Sequence, residues 1–346
     1  MMAYDKENFR NVTIKDVAKR AEVSIATVSR ILNGKDRVSP LLAERVLLAT
    51  KELQYQPNDV ARALKIKESR SIGLIIPDIE NPFFPALVRG VQDAAKIHNY
   101  AVILCNTDGK TEEEKKYIQF LYSKRVDGIA FTESVDNKKN IALLDSLGIP
   151  VVLLDRRVEG MKASGVSTDN RLGAFMATKH LIERDKRRIA FISGSPKLSS
   201  GAERASGYQD ALLSYNIQYD KKLAFIGAFT YESGYAAVEN LLLSRYQFDA
   251  IFASNDIMAI GAIECLNQYG IRVPEDVAVV GFDDIRLATW YKPLLTTIRQ
   301  PVYEMGQYAI KLLVEHITGE RSSPYEKIFV PELMIRQSSG GLEESK

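Results

Sequence analysis

Short apolar runs alternate with longer amphipathic stretches from about Arg70 onward. The runs are rich in β-branched residues and predict buried strands, whereas the stretches between them predict helices. The strand-like runs are SIGLIIP (71–77), YAVILCN (100–106), VDGIAF (126–131), PVVLLD (150–155), RIAFISG (188–194), FDAIFASN (248–255) and VAVVGFDD (277–284). Apolar strands that alternate with helices are typical of parallel sheets covered on both faces. The two series of runs therefore predict two doubly wound α/β subdomains.

The first 65 residues have a helical pattern instead. Thr13, with Asp16 three positions later, predicts a helix start with a capping box in which Asp replaces the usual Glu. Ser24 is the predicted N-cap of a second helix. Ser39 followed by Pro40 predicts the start of a third. Two short helices joined by a tight turn and supported by a third predict an all-α helix-turn-helix head.

Charge separates the same two regions. Residues 1–70 contain 14 Lys and Arg against 9 Asp and Glu, whereas the remainder contains 32 against 35. A basic head on a slightly acidic body suggests that the head meets a polyanion. Hydrophobic residues make up 46% of the 346 positions and charged residues 26%, which excludes a disordered chain or a disulfide scaffold.

Several classes of protein are disfavoured by what the sequence lacks. No long uncharged apolar run predicts a membrane span, and no apolar segment near the start predicts a secretory signal, so a cytoplasmic location is expected. Cys105 and Cys265 lie in apolar runs and are expected to be reduced core thiols.

Enzyme motifs are also missing. The chain contains no G-x-S-x-G elbow, G-x-G-x-x-G turn or P-loop. Its three histidines, His98, His180 and His316, are far apart in the sequence, so no metal site is expected. SGSPKLSSG (193–201) could cradle a phosphate, but a strand-to-helix loop of this kind is more often a plain connection. We therefore expect no enzyme, cofactor or metal.

The second helix of the head, SIATVSRIL, carries side chains suited to the major groove of DNA. Its first turn presents Ile25 and Ala26, which contact methyl groups and groove walls, and Arg30 lies about one turn further along. An arginine can donate to both acceptors of a guanine edge, so Arg30 is the predicted base-reading residue. Hydroxyl groups beside it are suited to phosphates. These belong to Ser24, Thr27 and Ser29.

The sequence from Val12 to Lys65 resembles, position by position, the DNA-binding head of the LacI/GalR family of bacterial repressors. The phrases TIKDVA, ATVSR and PNDVARALK carry this resemblance. It continues through the body to FDDI (282–285) and TTIRQP (296–301). The chain is therefore identified as similar to this family over nearly its full length.

The resemblance implies a homodimer whose two heads read a pseudo-palindromic double-stranded operator. It also implies a hinge helix over 58–65 in the minor groove, with Leu64 as an apolar wedge that kinks the duplex. The end of the chain, GGLEESK, lacks the leucine heptads of tetrameric relatives, so a dimer is expected. The DNA-contacting residues implied are Thr13, Ser24, Ile25, Ala26, Thr27, Ser29, Arg30, Asn33, Asn58, Ala61, Arg62 and Leu64.

The body of the family is similar to periplasmic sugar-binding proteins, which implies a small ligand held between the two subdomains. Residues of suitable chemistry stand at strand ends and crossovers, where open parallel sheets bind ligands. Carboxylates and guanidinium groups can bond vicinal hydroxyls, and phenylalanine rings can stack on a sugar ring. The predicted ligand-binding residues are Asn81, Phe83, Phe84, Asp155, Arg156, Arg204, Phe229, Asn255, Phe282, Asp283 and Gln300.

This set resembles the site of ribose-binding proteins, and the whole chain resembles ribose operon repressors of Gram-positive bacteria. The predicted function is therefore repression of a sugar-utilisation operon, relieved by D-ribose. One alternative is a catabolite-control regulator that responds to a phosphorylated carrier protein or a sugar phosphate. Another, from a different class, is a sugar-binding module for transport or an enzyme.

The predicted domain organisation has three parts. Its boundaries are a head over 1–56, a hinge helix over 57–66 and a sugar-binding and dimerisation domain over 67–346. In that last part, the expected N-subdomain is about 67–165 with 300–329, and the expected C-subdomain is about 166–299 with 330–342.

Overall fold

A computed structural model describes part of the chain in detail. The described residues are 12–32, 39–55, 68–132, 138–156 and 163–340. The chain divides between Ser69 and Arg70 into two compact units. The predicted hinge helix over 57–66 lies outside the described residues.

The described residues of the first unit form three helices, α1 (Ile14–Arg20), α2 (Ile25–Leu32) and α3 (Pro40–Glu52). Each begins where the sequence predicts a cap. The Thr13 amide donates to Asp16 Oδ2 at 2.8 Å, and the Ser24 hydroxyl accepts from the Thr27 amide at 3.1 Å. These bonds satisfy groups that a helix start leaves without partners.

A small apolar core holds the three helices together. Val17 of α1, Val28 of α2 and Val46 of α3 are fully buried against one another. The predicted helix-turn-helix head is thereby confirmed, because one apolar face of each helix is covered and the start of α2 remains at the surface.

The second unit consists of two six-stranded sheets. The first sheet is parallel throughout, with strand order β11-β5-β4-β3-β1-β2. Its strands are β1 (Ser71–Ile76), β2 (Ala101–Asn106), β3 (Gly128–Phe131), β4 (Val151–Leu154), β5 (Ser164–Thr168) and β11 (Glu326–Phe329). Its helices are α4 (Phe83–Ile97), α5 (Thr111–Ser123), α6 (Lys138–Leu147) and α11 (Val302–Ile317).

The second sheet has strand order β12-β10-β9-β8-β6-β7 and is parallel except for the edge pair β10–β12. Its strands are β6 (Ile189–Ser193), β7 (Ala224–Ile226), β8 (Ala250–Ala253), β9 (Ala278–Asp283), β10 (Thr296–Arg299) and β12 (Glu332–Met334). Its helices are α7 (Asn170–Glu183), α8 (Ser199–Ser214), α9 (Tyr231–Leu243) and α10 (Asp256–Gln268). Short 3₁₀ turns occur at Lys221–Leu223, Arg286–Thr289 and Gln337–Ser339.

This arrangement confirms the predicted fold class, a helix-turn-helix head and two doubly wound α/β subdomains. The subdomain boundary differs from the expected one near residue 165, because β5 pairs with β4 in the first sheet. The chain therefore first enters the second sheet after Thr168. The sequence SGVST lacks the continuous apolar run by which the other inner strands are recognised, so β5 was not predicted.

Both cysteines lie in the cores of the subdomains. Cys105 and Cys265 are buried free thiols, and burial raises the pKa of each to about 11. A thiol with so high a pKa is unreactive near neutral pH. Within the described ranges, no helix is long and apolar enough to span a membrane.

Candidate ligand-binding cleft and nucleic-acid interface

A cavity with about 280 Å³ of empty space, open solvent included, lies where the carboxyl ends of strands from both sheets face each other. Its lining side chains are Asn81, Phe83, Phe84, Asp155, Arg156, Ser200, Arg204, Phe229, Asn255 and Asp283. The structure thus brings together every predicted ligand residue except Phe282 and Gln300. Ser200 is an additional lining residue. It belongs to the serine pair of SGSPKLSSG, a signal that sequence reasoning assigned to a loop.

Charged groups dominate the polar part of the cavity. Arg204 Nη1 lies 3.6 Å from Asp283 Oδ1, and Arg156 Nε lies 3.5 Å from Asp155 Oδ2. All four side chains are buried. Burial raises the pKa of Asp283 to about 7 against the opposing effect of Arg204, and burial likewise raises the pKa of Asp155. The cavity therefore pairs two guanidinium groups with two carboxyl groups.

Arg204 is held in place from several sides. Its Nε donates to Asn170 Oδ1 at 2.8 Å, and Nη1 donates to the Ser254 carbonyl. The guanidinium carbon lies 3.7 Å from the centroid of the Phe282 ring. A cation this close to the face of an aromatic ring is stabilised by it. Arg204 therefore presents a fixed donor group to the cavity.

Phe282 does not close the cavity, contrary to expectation. Its side chain is fully buried, and its ring packs against Gly173 and Ile298. Successive side chains of a strand point to opposite faces, so Asp283 and Phe282 cannot both face the cavity from β9. Phe282 instead supports the guanidinium of Arg204.

Gln300 also lies behind the cavity wall. Its Nε2 donates to Asp283 Oδ1 at 2.7 Å, which orients that carboxyl. Gln300 Oε1 is buried and has no hydrogen-bond partner among the described residues. Gln300 is thus not among the lining residues but holds one of them, and its direct contact with a ligand stays a prediction.

Asp256 was not predicted, and it forms a second layer beneath Asp283. It is fully buried, its Oδ2 accepts from the Ile285 amide at 2.8 Å, and its Oδ1 accepts from the Thr297 hydroxyl. Burial and the nearby Asp283 carboxyl raise the pKa of Asp256 well above its usual range. The S-N-D sequence at the end of β8 was the available signal for this residue, but only Asn255 was selected from it.

Aromatic rings form the apolar walls. Phe83 and Phe84 are nearly perpendicular, with ring centroids 5.1 Å apart, and come from the first subdomain. Phe229 comes from the second subdomain, and its backbone has a left-handed φ of 62°. The Asn255 side chain donates from Nδ2 to the Phe229 carbonyl at 3.1 Å and caps α10 through Oδ1. Asn255 thus anchors the Phe229 backbone and retains one Nδ2 hydrogen for a ligand.

The head presents the start of α2 at its surface. Ser24, Ile25, Ala26 and Arg30 are exposed, and Ile25 keeps 45% of its surface accessible. The hydroxyl oxygens of Ser24 and Thr27 lie 2.9 Å apart and share a hydrogen bond, while the Ser24 hydroxyl also caps the helix by accepting from the Thr27 amide.

Thr13 is exposed and Ser29 is half-buried. The remaining predicted DNA contacts lie outside the described residues, and these are Asn33, Asn58, Ala61, Arg62 and Leu64.

Together, a helix-turn-helix head and a two-sheet domain with a polar, aromatic-walled cleft define a ligand-responsive DNA-binding regulator. Comparison with known proteins agrees. Residues 13–58 match the family model of bacterial regulatory proteins of the lacI family, and residues 178–339 match the periplasmic binding protein-like domain. The ribose operon repressor of Halalkalibacterium halodurans is 40% identical over 334 residues, which are 96% of this chain and 99% of the relative. The chain belongs to the LacI family of transcriptional regulators.

Solved structures of the family resemble this one closely. A transcriptional regulator, CelR, in complex with cellobiose is 36% identical, with a TM-score of 0.75 over 94% of this chain and 99% of the other. A LacI-family regulator from Enterococcus faecium with bound ribose is 31% identical, with a TM-score of 0.71 over 79% of this chain and 100% of the other. Relatives of similar identity thus hold different sugars, so the effector must be argued from the cleft.

Proposed function

We propose that this repressor controls a sugar-utilisation operon and that free D-ribose, bound in the cleft, releases it from its operator. The observation that carries the proposal is the buried set of two carboxyl and two guanidinium groups between phenylalanine walls. Arg156 and Arg204 donate hydrogen bonds, and Asp155 and Asp283 accept them. Vicinal hydroxyls of a sugar can both give and receive such bonds, so the set suits an aldose.

The aromatic walls fit the same ligand. A sugar ring has apolar C–H faces, and these pack favourably on aromatic rings. Phe83 and Phe84 stand on one side of the cleft and Phe229 on the other. Aromatic rings on both sides of the cleft therefore suit a sugar ring.

Charge favours a free sugar over a sugar phosphate. A phosphate group carries about −1.5 to −2 charges at pH 7. The cavity guanidinium groups face Asp155 and Asp283, so when both carboxyl groups are ionised little positive charge is left to neutralise a phosphate. The catabolite-control alternative, which requires a sugar phosphate or a phosphorylated carrier protein, gains no support from this balance.

Binding in the cleft has a direct mechanical consequence. The lining residues come from both subdomains, so a sugar that contacts all of them favours a closed cleft. A ligand shifts such an equilibrium only by its differential affinity for the two states. If the closed cleft is the form that releases the operator, as an inducing sugar requires, closure and operator binding oppose each other reciprocally in a homodimer with two heads on a pseudo-palindromic operator. The site of action we propose is the cytoplasm, where the operator DNA lies.

Calorimetry with a panel of D-ribose, D-xylose, D-glucose and D-ribose 5-phosphate tests the effector. We expect D-ribose to bind most tightly and its phosphate at least tenfold more weakly. Mobility-shift assays on an operator selected from random duplexes should show release by D-ribose at the concentrations that saturate calorimetry. Tighter binding of the phosphate, or no binding of any free aldose, would overturn the proposal.

A further inference from the structure

The loop that follows β6 lies against the Phe229 ring. A Cβ atom added to Gly194 would lie 1.9 Å from Cζ of Phe229 and within 2.6 Å of both Cε atoms. Carbon atoms in contact lie about 3.5–4.0 Å apart, so the ring occupies the space that any other residue at 194 would need. The backbone of Gly194 does not have a left-handed φ. Glycine is therefore required at 194 for space rather than for conformation.

The opposite side of the same loop supports helix α8. A Cβ atom on Gly201 would lie 2.2 Å from the Ser195 carbonyl oxygen, so the first turn of α8 rests directly on the loop backbone. This helix carries Ser200 and Arg204, which line the cavity. The loop therefore lies between the Phe229 ring and the helix that carries Ser200 and Arg204, and only its backbone fits in the space between them.

Phe229 has little freedom to adjust at its own backbone. Its carbonyl accepts from Asn255 Nδ2 at 3.1 Å, and its φ of 62° is one that side-chain-bearing residues seldom adopt. Two residues earlier, a Cβ atom on Gly227 would lie 2.6 Å from Met258 Sδ, so the preceding chain is also closely packed. A thicker residue at 194 must therefore displace the ring rather than the backbone.

We propose that Gly194 is a positioning residue for ligand recognition, because it seats the Phe229 ring in the cavity wall. This inference deepens the proposed function and rests on it for the identity of the ligand. It also assigns a role to SGSPKLSSG, whose two glycines let the loop pass between the two cavity walls. A phosphate cradle is not needed to explain the motif.

The test is a double-mutant cycle of Gly194→Ala and Phe229→Ala, with D-ribose affinity measured by calorimetry. Each single variant should lose about tenfold in affinity, the order of magnitude for an aromatic contact. The double variant should match Phe229→Ala alone, because the methyl group then occupies space vacated by the ring. Additive losses in the double variant would overturn the inference, as would parental affinity in Gly194→Ala.

Gly165→Ala is the matched control. A Cβ atom there would meet Glu326 Cγ at 3.8 Å, an ordinary contact, and the residue lies outside the cavity. This variant should bind D-ribose as the parent does. It separates a generic effect of replacing a glycine in the α/β unit from one transmitted through Phe229.

Thermal unfolding keeps the inference testable if Gly194→Ala does not fold or if the parent binds no aldose. If the clash with Phe229 is the cause of a lowered Tm, then adding Phe229→Ala should raise the Tm of Gly194→Ala to that of Phe229→Ala alone. A double variant that melts below both singles would overturn the positioning role. A parent that fails to bind D-ribose would instead count against the proposed function, since the Tm comparison needs no ligand.

Discussion

Replacing Asp283 by Asn should separate effector binding from operator binding. Asp283 has a φ of 116°, and Asn is among the residues that tolerate positive φ, so Asp283→Asn preserves the backbone where alanine would strain it. The Asn Oδ1 can still accept the bond that Gln300 Nε2 donates at 2.7 Å. What the variant loses is the negative charge 3.6 Å from Arg204.

The expected loss follows from the hydrogen bonds that Asp283 offers to a sugar. A bond to a charged group contributes about 1.5–3 kcal/mol, against about 0.5–1.5 kcal/mol for a neutral one. The difference is about 1 kcal/mol for each hydroxyl. Two vicinal hydroxyls on one carboxylate then give about 2 kcal/mol, or roughly a thirtyfold rise in Kd.

Calorimetry with D-ribose measures this loss, and a mobility shift measures operator affinity without sugar. The operator affinity should equal that of the parent, because Asp283 belongs to a different compact unit from the head. Asp276→Asn is the matched control, since Asp276 pairs with Arg272 at 2.7 Å on the surface and does not line the cavity. An Asp283→Asn variant with a D-ribose Kd within twofold of the parent would refute the direct contact.

Two further predictions concern pH and DNA. Burial raises the pKa of Asp283 to about 7, and sugar hydroxyls stabilise its ionised form. D-ribose affinity should therefore increase from pH 6 to pH 8, and proton release should accompany binding. Calorimetry that shows a fall in affinity over this pH range would contradict the prediction. Arg30→Ala should weaken operator binding by about 1–3 kcal/mol and relax preference at one base pair. Mobility shifts that show equal losses of affinity on operator and random DNA would mean that Arg30 contacts a phosphate. Arg20→Ala, which removes the ion pair to Glu52, is the control.

Local signals in the sequence were sufficient to predict the three helices of the head. The caps at Thr13, Ser24 and Ser39 act on amides within three residues of each hydroxyl or carboxyl group, so neighbouring letters define the helix starts. The buried residues Val17, Ala18 and Ala21, and likewise Val46 and Ala49, follow one another with helical spacing, which is also a local property.

The strands that the sequence predicted are those with a local apolar signature. The inner strands β1, β6 and β9 are apolar except for a polar residue at one end, because both of their faces are covered, and the sequence shows them plainly. β7 and β11 are partly exposed edge strands, and β5 reads SGVST, so none of these has the same signature. Their assignment depends on hydrogen bonds to strands remote in the chain.

The sequence by itself determined the two-part organisation, the series of strands and the chemistry collected at their carboxyl ends. Only the tertiary structure decided which of those side chains face the cleft. Phe282 and Asp283 are neighbours in the sequence, but only the Asp283 side chain lines the cleft. The Phe282 ring instead packs against the guanidinium group of Arg204. Likewise, the need for glycine at 194 arises from a ring 35 positions later in the chain. Such requirements come from packing between distant segments, which no local pattern encodes.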